Sequence, residues 1–117
     1  MELTELTITE AAELIKARKV TPVELTEAHL VRIERVDPRL NCFITLTADQ
    51  ALDSARRAQE TIGQGSYLGP LHGIPLAVKD LYETAGIRTT AGSTFFTDYV
   101  PWQDCVAVQK LNAGGAV

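Results

Sequence analysis

The sequence has 117 residues, 45% of them hydrophobic, and a net charge of −4, an ordinary globular composition that excludes disorder and collagen-like repeats. A chain of this length is one modest domain, able to bury roughly two-thirds of its unfolded surface. The acidic balance argues against nucleic acid as the main partner, no run reaches the roughly 18 apolar residues of a membrane span, and the acidic start MELTELTITE does not read as a signal or transit peptide.

The two halves differ. Residues 1–60 carry 19 of the 26 charged side chains and no glycine, whereas residues 61–117 carry all eight glycines. The first half reads as solvated helices. The second reads as buried strands and tight loops, where binding sites tend to sit.

Thr9 is the expected N-cap of a first helix, with Glu10 and Glu13 in its opening turn and an end near Arg18. Thr21-Pro22-Val23-Glu24 is a strong helix start: Thr21 caps, Pro22 takes the first position and Glu24 closes a capping box. This second helix is expected to run to about Val36 and stop at Asp37-Pro38. Its apolar residues wrap most of the way round, so it should have neighbours on more than one side. Asn41–Thr47 reads as a strand. Ala48, Ala51, Leu52, Ala55, Ala58 and Ile62 recur at helical spacing, giving a third helix that ends before Gly63. After a loop, Ile74–Lys79 reads as a short buried strand with Pro75 at its beginning. Asp104 should cap a last helix running to about Asn112, and Ala116-Val117 opens a further apolar segment. The element order is that of an α/β protein.

Lys79 is the most informative residue. It ends the least polar strand, and alternation places it on one face with the small residues Pro75 and Ala77. A lysine serving as a base near neutral pH needs a pKa of about 7–8 instead of about 10.4, and a low-polarity site supplies such a shift. From local sequence alone the solvent-facing reading is favoured, since lysine is seldom fully buried. His72, Asp80 and Ser93 can be assembled into a Ser–His–Asp triad, but no nucleophile elbow surrounds Ser93. His29 reads as a surface residue, and His72 as a residue shaping a turn. Cys42 and Cys105 read as small hydrophobes, too few for a metal cluster or a disulfide framework. Phe95, Phe96, Tyr99 and Trp102 read as packing and loop anchors.

The stretch Gly69–Phe96 (GPLHGIPLAVKDLYETAGIRTTAGSTFF), with Asp104–Val117 after it, resembles the amidase signature family. Gly69–Asp80 looks like that family's segment around its catalytic lysine, and Thr89, Thr90, Gly92 and Ser93 match the T-x-G-S loop that follows. Thr21–Leu25 resembles its second-helix start, so the resemblance covers essentially the whole chain in order. It implies an α/β fold, with this chain (residues 1–117) the truncated N-terminal portion of a single amidase signature domain whose mixed central sheet is covered by helices. It also implies amide hydrolysis by a Ser–cis-Ser–Lys triad, with Lys79 as general base and no metal or organic cofactor.

Both serines of that triad are expected in a Gly/Ser-rich run further along than Val117. Ser54, Ser66 and Ser93 stand in other contexts, so the chain is expected to be inactive alone. The expected substrate is a small-molecule amide and the expected compartment the cytoplasm, with no membrane partner and a homodimer left open. A general amidase is the favoured reading. The runner-up is the amidase-like component of the glutamine-dependent tRNA amidotransferase, which would bring partner subunits and charged tRNA. The rival from another class is a non-catalytic α/β binding domain.

Overall fold

The structure is a computed structural model and describes residues 2–117. The described residues form two compact units, one of residues 2–76 with 114–117, the other of residues 77–113.

In the first unit, helix α1 spans Ile8–Lys16. Its cap is Thr7, not Thr9. The Thr7 hydroxyl accepts the Glu10 N–H at 3.2 Å, and the Glu10 carboxylate accepts the Thr7 N–H at 2.8 Å. The reason lies in the spacing: the residue three after Thr7 is Glu10, whereas three after Thr9 comes Ala12, which cannot reach back. The helix ends two residues earlier than expected, because Arg18 turns left-handed (φ 56°). The Lys19 N–H then bonds the Leu14 carbonyl and the Arg18 N–H that of Ile15, both at 2.9 Å, which closes the orphan carbonyls.

Helix α2 spans Pro22–Leu40, with the expected capping box between Thr21 and Glu24. It runs through Pro38 instead of stopping before it. Asp37 makes the stop: its carbonyl accepts the Asn41 N–H at 2.7 Å and its carboxylate the Cys42 N–H at 2.6 Å. Asn41 takes the left-handed conformation that turns the chain out. Only Pro22, Leu25 and Thr26 of α2 are buried, and Val31 and Leu40 are exposed. Much of the apolar girdle of this helix thus has no cover from these residues.

No strand forms over 41–47, and Ile44 and Leu46 are exposed. A strand needs a paired neighbour to satisfy its backbone, and none is present among the described residues. Helix α3, Ala48–Gly63, follows the expected stripe, with Ala55, Ala58 and Ile62 buried. It packs on α2. The Arg18 guanidinium reaches the Gly63 carbonyl at 3.3 Å, placing a cation at the negative end of α3. Ala11, Ile15, Val20, Leu25, Ile62 and Ile74 form the core, with Leu3, Leu6, Leu14, Tyr67 and Leu76 packed against it.

The expected mixed central sheet is not formed. Among the described residues the regular structure is helical, and the one bridge, Thr84 with Ile87, is isolated. The Ile74–Lys79 segment is not a strand. Three backbone hydrogen bonds join residues 73–76 to 115–117: Gly73 N–H to Gly115 carbonyl at 2.8 Å, Val117 N–H to Ile74 carbonyl at 2.9 Å, and Leu76 N–H to Val117 carbonyl at 2.8 Å. They alternate as in a parallel pair but are too few to make a ladder.

The second unit holds helix α4, Val106–Ala113, and a 3-10 turn at Thr94–Phe96. Hydrogen bonds between loops do most of the work here. Gly86 N–H bonds the Pro101 carbonyl and Thr89 N–H that of Tyr99, both at 2.9 Å, and Cys105 N–H bonds the Glu83 carbonyl at 2.8 Å. Asp104 joins this network. Its carboxylate accepts the Ala85 N–H at 2.7 Å and the Asn112 amide at 3.0 Å, so it ties a distant loop to the helix it was expected to cap.

Candidate active site

Lys79 lies in the second unit, two residues past its start. Its carbonyl accepts the N–H groups of both Leu81 (2.7 Å) and Tyr82 (3.0 Å), so the backbone turns tightly straight after it. The side chain is exposed, and among the described residues its amine makes no hydrogen bond or ion pair. Burial of the amine across Pro75 and Ala77 is therefore not found; Ala77 and Val78 are exposed as well.

The next residue is heavily engaged. The Asp80 carboxylate accepts the Thr90 N–H at 2.9 Å and, through its other oxygen, the Thr90 hydroxyl. The Asp80 carbonyl accepts the Ala91 N–H at 2.7 Å. The Thr90 hydroxyl oxygen accepts the Gly92 N–H at 3.2 Å, and the Thr90 carbonyl the Ser93 N–H at 2.9 Å. Thr89 and Thr90 are buried. The Thr90 hydroxyl first, then the Thr90 N–H, hold the Asp80 carboxyl below the usual carboxylate range. The loop reached by this clamp contains two successive left-handed residues, Ala91 (φ 51°) and Gly92 (φ 67°).

The three serines have local duties. Ser54 accepts from the Arg57 guanidinium on α3 at 2.9 Å. The Ser66 N–H closes the end of α3 onto the Thr61 carbonyl. Ser93 caps the 3-10 turn by accepting the Phe95 N–H at 3.2 Å. His72 is buried, and its Nδ1 accepts the Leu68 N–H at 3.1 Å. Burial lowers its pKa. Each member of a Ser93–His72–Asp80 triad is thus bonded to its own loop. His29 turns its Nδ1 to the Leu25 carbonyl one helical turn back, at 2.9 Å.

Glu83 and Tyr99 were not singled out together by sequence, and they form a further polar pair of this unit. The Tyr99 hydroxyl donates to the Glu83 carboxylate at 2.6 Å. Both line an open groove of about 320 Å³ with Leu81, Thr89, Ala91 and Phe96. Phe95 and Trp102, expected as anchors, are 86% and 84% exposed; Phe95 meets the Phe96 ring edge-on, with centroids 5.1 Å apart. The described residues hold no cluster of three or more metal-ligating side chains, and no helix is long and apolar enough to cross a membrane.

Residues 24–117, including Lys79 and the Asp80–Thr90 clamp, match the family model described as Amidase. The chain belongs to that family. It is 47% identical, over its whole length, to the A-type component of the glutamyl-tRNA(Gln) amidotransferase of Geotalea daltonii, covering 24% of that protein. It is 44% identical over 115 residues to the putative amidase AmiD of Mycobacterium bovis, covering 98% of this chain and 24% of that one. Among solved structures it resembles the peptide amidase PAM in complex with the competitive inhibitor chymostatin, with a TM-score of 0.91 and 34% identity over all of this chain and 24% of the other. The chain therefore spans about a quarter of the length of the relatives it matches.

Proposed function

We propose that these 117 residues are the N-terminal portion of an amidase signature domain, and that they supply Lys79 as the general base for hydrolysis of a small-molecule amide. The observation that carries this reading is the family match across the Lys79 segment, together with an amine that no other described residue engages. In the reaction, the Lys79 amine takes a proton from a bridging serine, which takes one from the nucleophilic serine. The nucleophile forms a bond to the amide carbonyl carbon, the C–N bond breaks, and the departing nitrogen recovers the proton. Water then cleaves the acyl ester by the same relay. An amine does this near neutral pH only when removed from water. In this chain Lys79 is exposed; on this reading its cover and both serines belong to the rest of an amidase signature domain. The chain alone is accordingly inactive.

The amidase-like component of a tRNA amidotransferase is the second reading. The 47% identity to such a component favours it as much as the 44% identity to a putative amidase favours the first. It would release ammonia to partner subunits in place of free hydrolysis. One experiment tests the shared core of both. The matched quarter of the AmiD relative is replaced by this chain, and amide turnover is measured with and without Lys79→Ala. Loss of kcat by orders of magnitude, with unchanged folding, is expected. Near-normal turnover in the variant rules out the base assignment. Glutamine as the preferred substrate would favour the amidotransferase reading.

A further inference from the structure

The backbone around Lys79 is held more firmly than an exposed loop requires. On one side its own carbonyl receives two amide hydrogens, from Leu81 and Tyr82. On the other, Asp80 grips the loop ten residues further on through three hydrogen bonds, two from Thr90 and one from Ala91. That loop stores strain. Ala91 sits at φ 51°, where a non-glycine residue costs roughly 1–2 kcal/mol and persists only if its surroundings over-determine it. The surroundings here are Asp80 and Thr90. The Lys79 side chain itself is exposed. The result is a fixed Cα carrying an unengaged amine.

We propose that Asp80 is a positioning residue for Lys79, its Thr90–Ala91 clamp setting the backbone from which the amine projects. This inference rests on the reading of Lys79 as the general base. Asp80 touches neither substrate nor serine in this account; it acts through Lys79. A carboxylate suits the task because it accepts only, so that its two oxygens take the Thr90 N–H and O–H without competition. A charged acceptor also strengthens both bonds.

The test has two parts. In the 117-residue chain, hydrogen exchange at the Thr90, Ala91 and Gly92 amides is followed by NMR. Asp80→Ala should accelerate it at least about tenfold, while exchange at Ile15 and Leu25 stays unchanged. Protection equal to that of the parent chain overturns the clamp. In the AmiD replacement described above, Asp80→Ala and Thr90→Val should each lower kcat about 10- to 100-fold, the scale of a misplaced catalytic group, with KM nearly constant. Thr90→Ser, which keeps the hydroxyl, should restore turnover. The double variant Asp80→Ala/Lys79→Ala should be no slower than Lys79→Ala alone, because a residue acting through another contributes nothing once that other is gone. Additive losses would make Asp80 merely structural and overturn the proposal. An inactive Lys79→Ala beside a fully active Asp80→Ala would overturn it while sparing the base assignment. A fully active Lys79→Ala would overturn the base assignment itself.

Discussion

Gly115 lies against the face of His72. A Cβ placed on Gly115 would stand 2.5 Å from His72 Cδ2 and 2.9 Å from Cγ, and Gly115 has a φ of +80°. The imidazole cannot retreat easily, since its Nδ1 is bonded to the Leu68 N–H and its ring stacks on Tyr67 with centroids 6.0 Å apart. Two segments far apart in sequence are thereby fixed in the first unit, and the adjoining Gly73–Gly115 backbone bond depends on the close approach.

Gly115→Ala should therefore destabilise the chain on two counts, about 1–2 kcal/mol for a side chain in the left-handed region and about 1–3 kcal/mol for overpacking. Gly63→Ala is the contrast: nothing lies within 4 Å of its would-be Cβ, and as part of helix α3 it should gain a few tenths of a kcal/mol up to about 1. Urea melts of the two variants should move in opposite directions. Equal midpoints would show that the His72 contact does not constrain the fold.

The same histidine makes stability depend on pH. Burial lowers its pKa in the folded chain, so the folded state holds fewer protons than the unfolded state below the ordinary value of about 6.5. Unfolding then takes up a proton, and stability falls as pH drops from about 6.5 toward the folded pKa, with the full contribution present above. Protonation would also cost the Leu68 N–H its acceptor at Nδ1. Denaturant midpoints should decline across that window, and the His72 ring signals should titrate below those of a free imidazole by NMR. A ring titrating at or above the ordinary value would contradict the burial argument.

The helices were legible in the sequence because their signals are local. Thr21-Pro22-Val23-Glu24 contains its whole capping device in four residues, and the alanine stripe of α3 needs no distant partner to be read. Thr7 was missed although its Glu10 partner stood at the required spacing; the stripe of alanines behind Thr9 drew the cap inward. The strands failed for the opposite reason. Ile44 and Leu46, or Ala77 and Val78, have strand chemistry, but a strand exists only where another backbone pairs with it, and the described residues provide three such bonds in all between 73–76 and 115–117. At the site, Lys79 was found from a motif while its surroundings were not. The Asp80–Thr90 clamp joins residues ten apart across a loop, and no periodicity announces it.

Thr21→Ala should cost about 1 kcal/mol, the ordinary worth of an N-cap side chain, because it removes the acceptor for the Glu24 N–H at 3.1 Å and a donor to the Glu24 carboxylate at 2.9 Å. Thr21→Ser keeps both bonds and should melt within a few tenths of a kcal/mol of the parent. Thr9→Ala, by contrast, should be nearly silent, since Thr9 is exposed inside α1 and caps nothing. Helicity by circular dichroism together with urea melts would separate the three. A loss at Thr9 equal to that at Thr21 would mean that Thr7 is not the cap of α1.

Tyr99 offers a check on the second unit that requires no activity. Its hydroxyl donates to the Glu83 carboxylate, and that hydrogen bond, followed by burial and by the negative charge of Glu83, raises its pKa above the ordinary tyrosine value. Deprotonation would place two negative charges side by side in place of a bond. Phenolate absorbance in an alkaline titration should thus show one late tyrosine beyond any contribution from Tyr67, whose own pKa is raised by burial and by Glu13. Glu83→Gln should return the Tyr99 component toward about 10 and leave the Tyr67 component in place. Tyr99→Phe should delete it altogether. If the late component persists unchanged in Glu83→Gln, the carboxylate is not its cause, and the pair does not close the groove wall that Glu83 and Tyr99 share.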